Sequence, residues 1–277
     1  MERNEIEKKQ RVAKFFGELS APGWGLDDHF FKAMGLRLVE NAAVAEGHQV
    51  LDVAAGRGAS LFPAAERVGP QGRVIGIDIA EPMVRGTMAE IQQRDLKNAE
   101  MHLMDAEDIK YPDETFDRVL CGFALFFFPD HNRALSEILR VLKPGGLFVT
   151  STFSEGGYPW YWVDDLLKEH QISDRMDQLL DLVTQDFERP SEFEESFNAT
   201  GFSNIEIFDE SYIVTFANES HWWDAYLASA DRALFEGLDP ETLDRFKTDV
   251  MEILKSKRQH EGIQGTYRVL FAVGTKP

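Results

Sequence analysis

The sequence has a single cysteine, no long hydrophobic run and few basic residues. One thiol, Cys121, excludes an intramolecular disulfide and a cysteine-rich metal site. The most apolar stretch covers residues 119–129, and its 11 residues are well short of the roughly 20 that a transmembrane helix needs. The charged start is not followed by an apolar segment with a cleavage site, so no secretory signal is predicted. Together these features predict a cytoplasmic protein without a membrane span.

Charge of one sign dominates the chain, with 29 Lys and Arg against 48 Asp and Glu and a net charge of −19. Such a chain repels a phosphate backbone, so no nucleic-acid partner is predicted and an anionic membrane surface is disfavoured. No clustered histidine spacing suggests a metal site. The 277 residues, 43% of them hydrophobic, can bury the core of one large domain.

Short apolar runs alternate with amphipathic segments between residues 47 and 153. The runs carry few internal charges, as strands covered on both faces require. Residues 132–142 have apolar side chains at helical spacing, with Asp130 placed to cap the start and Gly145 placed to end the helix. Repeated strand–helix–strand units predict an α/β fold with a parallel sheet. The predicted strands cover residues 48–54, 72–79, 99–105, 116–124 and 145–153.

The flanking segments have different patterns. Helices are predicted over 3–17 and 27–44, and residues 155–198 hold 12 acids but 3 bases, typical of a helical insertion with solvated faces. Strands are predicted at 204–216 and 266–274, with helices at 219–236 and 240–258 between them. We therefore expect an N-terminal helical lid (1–46), a cofactor-binding core (47–153), a helical cap (154–200) and a C-terminal part of the same domain (201–277).

The strongest chemical signal is a buried strand that ends in Asp52 and opens into a turn with Gly56 and Gly58 before a helix. Glycines allow close approach of a ligand, and the helix start offers free N–H groups to an anion. The next strand ends in Asp78, 78 − 58 = 20 residues after Gly58, the spacing at which an acid accepts from the hydroxyls of a ribose. A third strand is followed by Asp105, whose carboxylate could accept from an adenine amino group. An adenosine-containing ligand is predicted.

A nicotinamide dinucleotide is a weaker alternative. Its fingerprint, G-x-G-x-x-G/A, needs a small third residue for close packing of helix on strand. Here Leu61 occupies that position. The turn therefore argues against a pyrophosphate cofactor and an oxidoreductase.

These motifs resemble those of the class I S-adenosylmethionine-dependent methyltransferases, and more narrowly the branch that acts in ubiquinone and menaquinone biosynthesis. The resemblance is strong over residues 47–153 and holds only in outline outside them. Its specificity comes from five motifs in order: D-x-A-x-G-x-G at 52–58, IDIAEPMV at 77–84, MDAED at 104–108, FDRVLCGFAL at 116–125 and LKPGG at 142–146.

The resemblance implies a Rossmann-like sheet of seven strands, mostly parallel with an antiparallel last strand, and helices on both faces. It implies S-adenosylmethionine as cofactor and S-adenosylhomocysteine as product. By the same likeness the glycine turn and Gly122 approach the methionine end, Asp78 holds the ribose, and Asp105 with Ala106 meets the adenine. Ala54 stands where many members have glycine. The implied cofactor-binding residues are Asp52, Ala54, Gly56, Arg57, Gly58, Asp78, Ile79, Met83, Asp105, Ala106 and Gly122.

The acceptor is a small molecule whose identity the sequence leaves open, including whether carbon, oxygen or nitrogen is methylated. Aromatic residues predict an apolar or aromatic acceptor, whereas the acidic insertion allows an amine. Methyl transfer needs positioning more than a catalytic side chain. A base would nevertheless help a hydroxyl acceptor, and His29 and His221 are the candidates. The candidate acceptor-binding residues are Phe16, Trp24, Phe126, Phe127, Tyr158 and Tyr161.

Two further questions stay open. The same fold could catalyse a cyclisation without methyl transfer, and the protein could be a monomer or a homodimer.

Overall fold

Seven strands form one sheet at the centre of the fold, in the order β3-β2-β1-β4-β5-β7-β6. The computed structural model describes residues 2–19, 29–172, 181–184, 187–235 and 237–277. The strands are β1 (Gln49–Val53), β2 (Arg73–Asp78), β3 (Ala99–Leu103), β4 (Phe116–Gly122), β5 (Leu142–Phe153), β6 (Ser203–Phe216) and β7 (Ile263–Thr275).

Helices cover both faces of the sheet, as the alternating pattern predicts. Short 3₁₀ turns also occur at Leu125–Phe127 and Ala230–Phe235. The helices are α1 (Glu2–Leu19), α2 (His29–Asn41), α3 (Leu61–Val68), α4 (Glu81–Gln93), α5 (His131–Val141), α6 (Trp162–Glu169), α7 (Pro190–Thr200), α8 (Glu219–Leu227) and α9 (Pro240–Lys257).

The strand pairing confirms the predicted mixed sheet. Strands β1 to β5 pair in parallel, and β7 pairs antiparallel with both β5 and β6. The central strands are buried along almost their whole length because apolar clusters cover both faces of the sheet. Asp130 caps α5 as predicted, with its side chain accepting from the N–H of Arg133 at 2.9 Å. The helix ends at Val141 with Leu142 as its C-cap, so Gly145, whose φ is 75°, lies within β5 and not at the helix end.

A third apolar cluster lies beside the sheet. It is built from α6, α8, the 3₁₀ turn Ala230–Phe235 and α9, and Trp160, Trp222 and Phe246 are among its buried members. We call this unit the aromatic lobe. It joins α6 from the predicted cap to helices of the C-terminal part, whereas α7 packs on α5 and on strands β6 and β7.

One predicted helix is interrupted. Residues 219–236 were expected as a single helix, but α8 ends at Leu227 and a 3₁₀ turn follows. The Ser229 hydroxyl donates to the carbonyl of Tyr226 and to the Asp231 carboxylate. Such short polar side chains compete for backbone groups and end helices. No helix in the described ranges has the length and apolarity to cross a membrane.

Candidate functional site

A cavity of about 1250 Å³ opens at the carboxyl ends of the parallel strands. Strands β1 and β4 are neighbours there, and the chain runs outward in opposite directions from them. Open α/β sheets bind ligands at this switch point, because the loops that follow the two strands diverge. The cavity wall contains the turn after β1, the ends of β2 and β4, and residues of α1 and the aromatic lobe.

The turn after β1 has a left-handed backbone at three positions. Ala54, Gly56 and Gly58 have φ of 53°, 51° and 82°, so Ala54 holds a conformation that costs an alanine about 1 kcal/mol. The Thr87 hydroxyl donates to the carbonyl of Gly56 at 2.7 Å. This bond ties the turn to α4.

Asp78 is buried at the end of β2 and fastens the same turn from the other side. One carboxylate oxygen accepts from the N–H of Gly56 at 2.9 Å and the other from the N–H of Ala80 at 2.8 Å. Burial raises the pKa of Asp78. Its carboxylate lies on the cavity wall with further lone pairs available for ligand donors.

Asp52 lies behind the wall and is fully buried. Its two oxygens accept from the Ser60 hydroxyl at 2.9 and 2.8 Å, which holds the start of α3 against β1. The structure therefore gives this side chain no direct access to the cavity. Burial raises the pKa of Asp52 to about 7.

This buried acid predicts an unusual dependence of stability on pH. The folded pKa lies above the ordinary value of 3.8, so its contribution to stability is complete below about pH 4 and is lost as the pH rises through 7. We expect the variant Asp52→Asn to gain stability relative to the wild type between pH 5 and pH 8, by up to about 2.5 kcal/mol. Urea unfolding at both pH values measures the difference. If the free energies of unfolding of variant and wild type differ by the same amount at both pH values, the raised pKa of Asp52 would be contradicted. Asp95→Asn, a replacement at an exposed position, serves as control.

Two acids after β3 are joined to the first helix. Lys9 in α1 places its ammonium group 2.7 Å from Asp105 and 2.5 Å from Glu107. Glu107 also accepts from the N–H of Asp130 at 2.9 Å. These contacts fix α1 across the cavity at the end where Asp105 and Ala106 form the wall. No motif in the sequence marks Lys9 for this contact.

Arg57 extends its side chain from the glycine turn to α4. Its guanidinium group lies against Gly86, where an added Cβ would approach within 2.3 Å, and 3.8 Å from the Glu90 carboxylate. The Arg57 side chain is 13% exposed. The arginine thus packs the turn onto α4 while forming part of the wall.

At the opposite side of the switch point, Gly122 ends β4 and Phe123 has a φ of 52°. A left-handed backbone is uncommon for a bulky residue and marks local strain, which is frequent at functional sites. The Phe123 ring lies 4.9 Å from that of Phe153. Both rings belong to the cavity wall, together with Gly122.

Aromatic rings form part of the cavity wall, and four of the six candidate acceptor-binding residues are among them. Phe16 of α1 meets Phe127 edge to face at 5.1 Å, and Phe126 and Tyr158 also line the wall. Tyr161 is not on the wall and is 46% exposed, because it lies on the outer side of the turn into α6. Trp24 and the side chain of His29 lie outside the described residues.

His221 reaches the cavity wall but is engaged elsewhere. Its Nδ1 atom accepts from the N–H of Ala217 at 3.2 Å, and its ring packs on Phe216 at 5.5 Å. The described ranges contain no group of three or more His, Cys, Asp or Glu residues arranged to hold a metal ion.

The structure adds wall residues that the sequence analysis missed. Asp231 and Tyr226 belong to this group, as do Trp222 and Tyr267. No motif marks them, because Tyr267 lies in β7 and the others come from segments that only the folded aromatic lobe brings beside the sheet. The wall also holds the predicted Ala54, Gly56, Gly58, Ile79 and Met83.

Comparisons with known proteins give consistent similarities. Residues 45–217 match the family model of a methyltransferase domain. Aklanonic acid methyltransferase DauC of Streptomyces sp. strain C5 is 40% identical over 154 residues, 55% of this chain and 70% of that protein. Nocamycin O-methyltransferase of Saccharothrix syringae is 45% identical over 42% of each chain. Demethylmenaquinone methyltransferase of Listeria welshimeri is 32% identical over 61% of this chain and 75% of its own.

Solved structures share the fold at lower identity. The YcgJ protein of Bacillus subtilis has a TM-score of 0.57 and 20% identity, covering 88% of this chain and 98% of its own. The [4+2]-cyclase SpnF has a TM-score of 0.54 and 20% identity, over 89% of this chain and 81% of its own. At these identities the likeness concerns the fold alone.

Proposed function

The chain belongs to the class I S-adenosylmethionine-dependent methyltransferases, and we propose that it methylates a small apolar or aromatic acceptor at carbon, oxygen or nitrogen. S-adenosylmethionine is its cofactor and S-adenosylhomocysteine its product. One observation carries the proposal about the acceptor. A single cavity connects the glycine turn, Asp78 and Asp105 to a wall of aromatic rings.

The residues of the turn fit the cofactor. An added Cβ at Gly56 would meet no atom within 4 Å, so the backbone there faces open space. Asp78 keeps lone pairs on both oxygens after accepting one N–H on each, which suits a pair of ribose hydroxyls. In this proposal Asp105 and Ala106 meet the adenine, and Gly122 lies against the methionine end.

Asp52 and Arg57 have supporting roles in this proposal. Asp52 positions the turn through Ser60 rather than touching the cofactor. Arg57 fastens the turn to α4 by its packing on Gly86. Ile79 and Met83 supply apolar wall beside Asp78.

When bound, the cofactor supplies an electrophilic methyl carbon attached to a positively charged sulfur. The chain's own residues then have two tasks, to align the acceptor with that carbon and to exclude water. Phe16 and Phe127 close the cavity from the side of α1. Lys9 holds α1 in place through Asp105 and Glu107, so in this proposal α1 acts as a lid over the cavity.

The acceptor lies, in this proposal, between the end of β4 and the aromatic lobe. Phe126, Phe127 and Tyr158 provide flat apolar surfaces there, which suit a planar ring system. Relatives named for aklanonic acid, nocamycin and demethylmenaquinone support small-molecule acceptors of this kind. His221 already accepts a backbone N–H through Nδ1, so the neutral ring carries its hydrogen on Nε2 and has no free lone pair with which to act as a base.

A labelled-transfer assay tests the proposal. Purified protein is incubated with methyl-labelled S-adenosylmethionine and a panel of phenols, quinols, aromatic carboxylic acids and aromatic amines, and products are identified by mass spectrometry. We expect a labelled product from at least one class. Phe127→Ala is expected to raise the acceptor KM about tenfold, since it removes a ring worth about 1–2 kcal/mol of contact.

Calorimetry with S-adenosylhomocysteine separates the outcomes of that assay. Absence of binding would refute the proposed cofactor site. Binding without any labelled product would favour a cyclisation in the same aromatic cavity, the second candidate, whose support is the large apolar wall.

A further inference from the structure

Asp231 is a carboxylate placed deep in the aromatic lobe that faces the cavity. It accepts from the Tyr158 hydroxyl at 3.1 Å and from the Ser229 hydroxyl at 3.0 Å. The residue keeps partial exposure because it lies on the cavity wall. Burial raises the pKa of Asp231, and the negative charge of Asp164 raises it further.

Aromatic rings surround this carboxylate on the wall. Trp222 stacks on Tyr226 with ring centroids 4.8 Å apart and meets Trp160 edge to face at 5.4 Å. Tyr267 lies 5.9 Å from Tyr158 and accepts from the Trp160 indole N–H at 2.8 Å. The Asp231 charge helps to raise the pKa values of Tyr158 and Tyr226, after their burial. All five rings line the same cavity.

The carboxylate has hydroxyl partners but no counter-charge. Across the residues that the structure describes, no lysine, arginine or histidine forms an ion pair with Asp231. A carboxylate removed from bulk water without a cation is costly. A ligand cation would relieve that cost, and the faces of the surrounding rings attract cations as well.

We propose that Asp231 and the rings of Tyr158 and Tyr226 bind a protonated amino group, with Trp222 packed against Tyr226. The inference rests on the proposed function, because that amino group belongs to the acceptor, and it narrows the acceptor to an aromatic molecule that carries an ammonium group. Binding forms an ion pair and contacts with the ring faces, with no covalent step. The amine orients the acceptor by its charged end, while the reacting atom lies toward the end of β4.

A matched pair of ligands tests this without any variant. Binding of 1-naphthylmethylamine, which is protonated at pH 7, is compared by calorimetry with binding of 1-naphthalenemethanol, its neutral counterpart. Salt at 0.15 M screens the general attraction of a −19 chain. We expect the amine to bind at least tenfold more tightly than the alcohol. Equal affinities, or tighter binding of the alcohol, would overturn the proposal.

Two variants test whether the preference for the amine depends on Asp231. Asp231→Asn keeps the side-chain size and an acceptor oxygen, and we expect it to bring the two ligands within threefold of each other. Asp244→Asn removes the same charge from an exposed position on α9 in the same lobe, and it is expected to keep the preference for the amine. An amine preference that survives in Asp231→Asn would also overturn the proposal. Circular dichroism establishes that each variant is folded.

Failure of this inference is distinguishable from failure of the proposed function. S-adenosylhomocysteine binding and labelled transfer report on the methyltransferase site and do not require the amine. Suppose that a neutral acceptor gives a labelled product and that the two naphthalene ligands bind equally. The proposed methyl transfer would then be supported, and the proposed ammonium-binding site at Asp231 would be rejected.

Discussion

Asp78→Asn is expected to weaken binding of S-adenosylhomocysteine about 30- to 100-fold. The carboxylate is the acceptor proposed for the ribose hydroxyls, and hydrogen bonds to a charged group contribute about 1.5–3 kcal/mol each. It also fastens the turn through the N–H groups of Gly56 and Ala80. Asparagine keeps one acceptor oxygen, so one of these N–H groups loses its partner and the turn loosens as well.

Isothermal calorimetry measures the affinity for Asp78→Asn, and thermal melting checks that the variant is folded. Asp95→Asn is the matched control, because it removes one carboxylate that is 80% exposed after α4. We expect the control to bind as the wild type does. An affinity within threefold of wild type for Asp78→Asn would exclude this carboxylate from the ribose site.

Gly35→Ala is expected to destabilise the protein by about 2–3 kcal/mol, although alanine favours helices by up to about 1 kcal/mol over glycine. Gly35 lies where α2 crosses the chain entering α3. An added Cβ would be 2.1 Å from the carbonyl oxygen of Ala59 and 2.8 Å from the N–H nitrogen of Ser60. Main-chain atoms cannot rotate away from the added Cβ as a side chain could. Either α2 must therefore move away from the glycine turn, or the turn itself must shift.

Thermal melting should show a decrease in Tm of roughly 5–10 °C for Gly35→Ala, together with weaker binding of S-adenosylhomocysteine, because the displaced segment begins α3. Lys32→Ala, an exposed replacement on the same helix, is expected to stay within about 0.5 kcal/mol of wild type. A raised Tm for Gly35→Ala would mean that helix propensity outweighs the contact and that the helix can shift without cost.

Much of the sheet was predictable from local pattern. The apolar runs at 48–54 and 72–79 correspond to β1 and β2, because a strand covered on both faces must be apolar along its length. The turn with Gly56 and Gly58 was predictable for a similar reason, since its left-handed backbone favours glycine. Ala54 adopts the same conformation without being glycine, so residue type alone did not reveal it.

Other parts of the site depend on residues far apart in the chain. The ion pair between Lys9 and Asp105 joins positions 96 residues apart, and the bond between Tyr158 and Asp231 joins positions 73 apart. No local periodicity in the sequence predicts either contact. For Asp52, the motif is evident in the sequence, but the burial of its side chain behind Ser60 is not. That burial depends on how α3 packs against β1.

By itself the sequence determined the strands, the glycine turn, the acids that end β2 and follow β3, and through them the methyltransferase family. Each of these is a property of neighbouring residues, expressed through hydrophobic period, backbone freedom or the spacing of a short motif. Only the tertiary structure decided that α1 closes the cavity through Lys9 and that Asp231 faces it among aromatic rings. Those arrangements follow from burying three apolar clusters against one sheet, a condition on the whole chain that no short stretch contains.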